Sequence, residues 1–348
     1  MEFALGQTSS SDVTAIADLI NAHSLALFGT RRALIDEDGD LRTTRYIPGA
    51  AEQMVARNAA GRVVGHVWWI NRPPHVVVEI GLIVHPDCWA TAAVDALLAH
   101  VEVQAGASLG LTPEGARVVL QTTVLADDHV LIALLQEGCG FAQVREWVHF
   151  ETLPAEAPVI HLPQGVTIRE MDQRFDWPAV GAVMDEAFAD HWGEMGPHVR
   201  TLLEEDEADE AIAGGVEDEE GEEVVDDLYS NSLGLCFVAE ADGQVIGSCL
   251  CNARTIEWPA SGKLGSLSVL RPYRRLGVGR ALTATALAEF HRRGIQRIIT
   301  DTDNASFTGA NRLYPRFGFR PYRYEHVYEK ELRAGVEWRA LSPSDLRL

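Results

Sequence analysis

The chain has 348 residues, 47% of them hydrophobic, and a formal net charge of −22. That length suggests two ordinary domains, and the acidic balance excludes a nucleic-acid binder, which needs a basic footprint. No run approaches the roughly 18 apolar residues that span a bilayer, the start Met-Glu-Phe-Ala-Leu-Gly lacks the basic and apolar regions of a signal peptide, and five scattered cysteines give neither a disulfide framework nor a zinc spacing, so a reduced cytoplasmic protein without a membrane partner is expected.

In chain order, residues 11–28 read as an amphipathic helix capped by Ser11 or Asp12, with Val13, Ile16, Ala17, Leu19 and Ile20 at helical spacing. Residues 62–70 and 75–84 read as paired strands joined through Asn71-Arg72-Pro73-Pro74. A helix over 90–105, a strand over 116–125, a glycine-ended helix over 128–141 and a strand over 144–153 follow. Residues 154–164 carry three prolines and read as a linker. Then the order restarts: strand 165–171, helix 176–192, hairpin 235–255 turned at Asp242-Gly243, strand 262–270, helix 279–293, strand 297–303, helix 306–317 and strand 322–332. Cys249 and Cys251, one residue apart in an apolar run, are expected on one strand face.

Residues 204–227 hold fourteen Asp or Glu and no Lys or Arg. They read as a solvated, extended insertion, because like charges repel; the competing reading is an electrostatic attractor for a cationic substrate. Elsewhere Val84 matches Val269, and Gly140-Phe141 matches Gly318-Phe319. An internal duplication accounts for this better than two unrelated domains. The expected fold class is α/β with mixed sheets, in tandem domains at 1–155 and 165–332, with a linker at 156–164 and a tail at 333–348.

The stretch Arg274-Arg275-Leu276-Gly277-Val278-Gly279-Arg280 lies between a strand and a helix. The first N–H groups of a helix lack internal partners, and glycine lets an anion approach them. The helix dipole contributes only about 0.3–1 kcal/mol when exposed, so a bound polyphosphate also needs Arg274, Arg275 or Arg280. The spacing matches neither a nucleoside-triphosphate loop nor a dinucleotide fingerprint.

Arg274-x-x-Gly277-x-Gly279 resembles the acyl-CoA pyrophosphate loop of the GCN5-related N-acetyltransferases (GNAT), and Ala310-Asn-Arg-Leu-Tyr314 through Gly318-Phe319 resembles that family's Ala-x-x-Leu-Tyr-x-x-x-Gly-Phe segment. The tandem layout is similar to the two-domain acetyltransferases related to mycothiol synthase. The resemblance implies acetyl-CoA as cosubstrate, main-chain pairing of Leu267, Ser268 and Val269 with its pantetheine arm, and a pyrophosphate held by N–H groups from Arg275 through Leu276, Gly277, Val278, Gly279 and Arg280 to Ala281. It implies Tyr314 as proton donor to the departing sulfur, which suits a phenol that keeps its proton at pH 7.

Phe307 stands where the family has Asn, so Asn304 and Asn311 are the candidate side-chain contacts to CoA. The first copy has Trp89, Ala90, Ala92 and Val94 in place of the loop arginine and glycines, and Gln136 in place of the tyrosine. It is therefore expected to be degenerate and structural, without acyl-CoA binding. An acceptor amine of lysine-like pKa costs about 4–5 kcal/mol to deprotonate at pH 7, so a base is needed. Strand 263–269 carries no acid; Glu257 is the first candidate, Asp190 and His191 the second, and Asp301, Asp303 and His326 read more simply as structural. The expected function is direct acetyl transfer to a small, cationic amine. The alternatives are a non-catalytic acyl-CoA-binding module and a protein lysine acetyltransferase.

Overall fold

A computed structural model describes residues 3–35, 41–43, 51–88, 92–154, 156–194, 235–255, 258 and 260–340. Trp89, Ala90, the acidic stretch 204–227 and Glu257 lie outside the described residues. The chain forms two compact units, Met1–Trp147 with Arg323–Trp338, and Val148–Tyr322 with Arg339–Leu348.

The first unit contains β1 (Ala4–Gln7), α1 (Val13–Phe28), the small ribbon β2 (Ala33–Ile35) with β3 (Leu41–Thr43), β4 (Glu52–Arg57), β5 (Val63–Asn71), β6 (Val77–Val84), α2 (Ala92–Ala107), β7 (Val118–Leu125) and α3 (His129–Ala133). Next comes β8 (Ala142–Thr152), whose residues from Val148 onward belong to the second unit. That unit continues with β9 (Val166–Glu170), α4 (Gln173–Phe188), β10 (Phe237–Ala241), β11 (Gln244–Asn252), β12 (Ser261–Val269), α5 (Val278–Arg292), β13 (Arg297–Asp303) and α6 (Ala310–Leu313). The last strand, β14 (Arg320–Arg333), runs from the second unit into the first.

Sheet order in the first unit is β1-β4-β5-β6-β7-β14, and in the second β13-β12-β11-β10-β9 with the end of β8 beside β13. The final strand thus completes the first unit's sheet, pairing antiparallel with β7 from Glu325↔Leu125 to Arg333↔Val118. The strand expected over 322–332 as the end of the second copy therefore pairs in the first unit's sheet; nothing local reveals a partner two hundred residues upstream.

Each sheet carries a helix on both faces. In the first unit, α2 buries Leu97, Leu98 and Val101 against Val67, Ile80 and Leu120, and α1 buries Ile16, Leu19 and Ile20 against Val55 and Val63. In the second, α5 buries Leu282, Leu287 and Phe290 against Cys249, Cys251 and Leu264, while α4 packs Val180 on Val238 and Leu250. Cys249 and Cys251 share that face, with sulfurs 3.7 Å apart. Burying a ring such as Phe290 stabilises by about 1.5–3 kcal/mol, and Gly262 makes the space: a Cβ there would lie 2.2 Å from the ring.

Several expected elements are in place, with differences that have local causes. Asp242 (φ 51°) and Gly243 (φ 76°) both adopt the left-handed conformation that a two-residue hairpin turn requires. The cap of α1 moves upstream: Asp12 turns its carboxylate back onto the Ser9 N–H and pairs with Arg57. The helix expected over 306–317 shrinks to Ala310–Leu313 followed by a 3-10 turn, Tyr314–Phe317. Gly309 at φ 82° opens it and Pro315 removes a helical donor. Among the described residues, no helix is long and apolar enough to cross a membrane.

In each unit one pair of strands is parallel and parts early. β6 and β7 pair from Val77↔Val119 only to Ile80↔Thr122; β12 and β13 pair from Ser261↔Arg297 only to Lys263↔Ile299. Beyond those points the two strands leave a wedge between them.

His66, on β5, is 1% exposed, and burial lowers its imidazole pKa from 6.5 to about 4. The unfolded chain binds the extra proton between those values, so stability is full above pH 6.5 and falls as the pH drops toward 4. The loss reaches about 3 kcal/mol at pH 4. Urea unfolding followed from pH 7 to 4 should show this slope, and His66→Asn should flatten it.

Candidate active site

The second unit's wedge is built by β12. Its outer residues pair with β11 on one edge, Leu267↔Cys249, Ser268↔Ser248 and Val269↔Gly247. On the other edge β13 has already departed. A bulge at Gly265, between the pairs Ser266↔Leu250 and Leu264↔Cys251, re-aims the strand where the wedge opens. Ser268 is buried and bonded to Ser248, hydroxyl to hydroxyl at 2.7 Å, so only its main chain faces the wedge edge.

After Val269 the chain makes a 3-10 turn, Arg271–Tyr273, and enters α5 through Arg275 at φ 65° and Gly277 at φ 97°. Gly277 is required by conformation, since an added Cβ would meet nothing closer than Pro163 at 3.8 Å. Gly279 has an ordinary helical backbone and would accept a Cβ at van der Waals distance from Val269 and Leu267. Ala281 N–H is taken by Gly277 O at 2.9 Å, so the donors that the helix leaves open are those of Val278, Gly279 and Arg280. Arg275, Leu276 and Arg280 are exposed.

Arg274 has a different job from the one expected. Its guanidinium donates to Val269 O (3.1 Å), Ala187 O (2.7 Å) and Asp190 Oδ2 (3.2 Å). Arg271 joins the same carboxylate at 2.9 Å. These bonds fasten the loop to the C-terminal end of α4 and occupy the charge expected to serve phosphate. They also take Asp190 out of contention as a base. Arg274→Met should destabilise the fold by about 1–3 kcal/mol through the unpaired Val269 and Ala187 carbonyls, Asp190 keeping its contact with Arg271. Arg280→Met, on an exposed side chain, should change it by less than about 0.5 kcal/mol; urea unfolding of both variants separates the two roles.

Tyr314 is 5% exposed, packed between Phe150 and Phe319 with centroids at 6.0 and 5.5 Å. Burial pushes its phenol pKa well above the ordinary value, partly offset by a hydrogen bond with Thr300. Thr300 follows the last paired residue of β13, Ile299, so this bond sits where the strands part. Thr300 was not singled out from the sequence; only the strand register reveals it. Ser266 was likewise missed. It lies opposite Leu250, on the sheet face that α4 covers, and its buried hydroxyl has no hydrogen-bond partner.

The remaining candidates divide clearly. Asn311 donates to Asn304 O at 2.9 Å and so braces the turn before α6. Asp301 pairs with Lys263 at 2.9 Å. Asp303 is buried and accepts from Ala305 N–H, a turn role. His326 belongs to the first unit, where its Nε2 faces Glu146 at 3.1 Å. His191 follows α4, its ring edge-on to Phe188 at 4.9 Å and tilted on Phe307 at 5.7 Å. Burial lowers its pKa, against the pull of Asp190, and Arg274 lowers it further, so the ring is neutral at pH 7. Its Nδ1 faces Asp190 Oδ1 at 3.4 Å.

Residues 197–319 match the acetyltransferase (GNAT) family model. The chain is 26% identical over 322 residues to the mycothiol acetyltransferase of Salinispora tropica, covering 89% of this chain and 94% of that protein. It is also 26% identical over 260 residues to that of Thermobispora bispora, 72% and 75% of the two chains. A crystal structure of a GCN5-related N-acetyltransferase from Sphaerobacter thermophilus superposes with a TM-score of 0.69 at 22% identity, covering 96% of this chain and 97% of that one. A tandem GNAT protein from the clavulanic acid biosynthesis pathway superposes at 0.62 and 17% identity, over 96% and 100% of the chains. The GNAT family match lies within the second unit, and the mixed α/β architecture is shared with the two superposed acetyltransferase structures.

Proposed function

We propose that the second unit is an acetyl-CoA-dependent N-acetyltransferase acting on the amine of a small, cationic molecule, and that the first unit is its degenerate duplicate. One coincidence carries the reading. A parted parallel strand pair, a buried tyrosine hydroxyl at the parting and a helix N-terminus opened by Gly277 all occur in one unit. The similarity to mycothiol acetyltransferases along most of the chain supports an acetyltransferase. The net charge of −22 supports a cationic acceptor.

In this reading the open main-chain edge of Leu267–Val269 pairs with the pantetheine arm. The N–H groups of Val278, Gly279 and Arg280 hold the pyrophosphate, aided by Arg275 and Arg280. Acetyl-CoA supplies the activated acyl group. Glu257, the first base candidate, lies outside the described residues. Among those described, the neutral His191 is the group suited to take the amine proton. Tyr314, held protonated by burial, supplies a hydrogen bond to the departing sulfur.

Among the described residues, the first unit departs from this at the matching loop and tyrosine positions. Ala92 opens α2, Val94 is buried in its core and Gln136 is exposed where the tyrosine would stand.

CoA release measured across polyamines, amino sugars and aminoglycosides tests this function. Turnover with at least one amine is expected. Tyr314→Phe should lower kcat by about 10²–10⁴-fold while leaving acetyl-CoA affinity within about twofold. Binding of acetyl-CoA without release of CoA from any amine would instead make the unit a non-catalytic acyl-CoA module.

A further inference from the structure

His191 stands on neither helix nor strand. It lies in the turn after α4, where Phe188 O accepts its N–H at 2.8 Å. A side chain on a turn is aimed only as well as the turn is held. The hold comes from the far end of the sequence. After β14 the chain re-enters the second unit at Arg339, and Ala340 clamps the turn with both of its main-chain groups. Gly193 N–H donates to Ala340 O at 2.8 Å, and Ala340 N–H donates to Glu194 O at 2.7 Å. Glu194 N–H in turn donates to His191 O at 3.3 Å. Gly193 takes part at φ 88°, a conformation that a side chain would strain, although nothing lies within 4 Å of a Cβ there.

The clamp is buried. Arg339 and Ala340 are 4% and 3% exposed, and the Arg339 guanidinium lies 5.9 Å from the centre of the Trp192 ring. Arginine is rarely buried this far unless it is held, so this part of the tail is packed into the unit and not frayed from it. The His191 ring has its own restraints. Asp190 faces its Nδ1, and the other oxygen of Asp190 is taken by Arg271 and Arg274. Arg274 also holds Val269 O at the end of the open edge of β12. The ring is thus tied toward the wedge through side chains, and its main chain is tied to the tail.

We propose that the tail segment Arg339–Ala340 positions His191 for the acceptor amine, with Ala340 as the positioning residue. The proposal rests on the acetyl-transfer reading and adds to it a residue outside the loop and tyrosine motifs. Misplacing a catalytic group by about 1 Å can cost roughly 10²-fold in rate. The contacts assigned to acetyl-CoA lie on β12 and α5, so a loosened tail should slow transfer and leave cofactor binding alone.

The test compares Ala340→Pro, which removes the N–H that Glu194 O accepts, with Ala340→Gly, which keeps both bonds. With the most active amine of the acceptor panel, Ala340→Pro should lower kcat at least about tenfold and leave acetyl-CoA affinity within about twofold, while Ala340→Gly keeps both within about twofold. A second readout needs no turnover: the titration of His191, followed by NMR of histidine-labelled protein and assigned with His191→Asn. Burial holds this pKa below 6.5; Arg274 lowers it further, and Asp190 and Asp303 raise it. Arg271 acts on it through Asp190, and Arg339 stands at the neighbouring Trp192. Loosening the turn hydrates the ring, so the pKa should rise toward 6.5 in Ala340→Pro and keep its native value in Ala340→Gly. Gly193→Ala strains the other partner of the clamp at its positive φ and should move both readouts the same way; it takes the place of Ala340→Pro if thermal unfolding shows that variant unfolded. An unchanged kcat or an unchanged His191 titration in the folded variant would overturn the proposal, as would an equal loss in Ala340→Gly. If the unaltered chain turns over no amine, the acetyl-transfer reading fails separately, and the titration alone then decides whether the tail holds His191.

Discussion

The early parting of two parallel strands is the constraint on which the rest of the molecule depends. In the second unit β12 and β13 share three residue pairs and then separate, leaving Leu267–Val269 with an open main-chain edge. Everything assigned to the site borders that opening. The Gly265 bulge turns β12 as it leaves β13, and Thr300 holds the Tyr314 hydroxyl just past the last pair. The helix that follows β12 brings its free N–H groups back beside Leu267 and Val269, which lie within 4 Å of a Cβ at Gly279. A sheet paired to its ends would offer none of these groups to a ligand.

The first unit parts in the same way, after Ile80 and Thr122, and then departs in chemistry. Each unit places an N–H donor side chain on the carbonyl that ends its strand, His23 on Val84 and Arg274 on Val269, and each donor is held by an aspartate. The geometry of the hold differs. Arg274 ties its strand to α4 and leaves the wedge open, whereas His23 reaches Asp128 beyond the opposite strand and closes it. The loop glycines and the open wedge are thus lost together in one unit and kept together in the other.

Much of this was legible in the residues. The Asp242-Gly243 turn, strand 297–303 and the helix after the glycine loop follow from local turn chemistry and apolar period, and the observed β13 has those bounds. The loop and tyrosine motifs were visible because their spacing is short. What was not legible depends on long-range partners. Arg274 reads as a phosphate ligand until Asp190, 84 residues away, is seen against it. Thr300 and Ser266 are unremarkable in sequence and acquire meaning only from strand register. The passage of β14 into the first unit's sheet has no local signal, because either sheet would accept an alternating strand of that composition.

The most direct measurement is the stoichiometry of acetyl-CoA binding to the full chain by calorimetry, with Gly277→Glu as the comparison. That change puts a carboxylate and a strained positive-φ residue at the start of α5. One site per chain is expected in the native protein and none in the variant. Two sites would show that the His23–Asp128 bridge does not close the first wedge. No site would contradict the assignment of the second wedge to acyl-CoA.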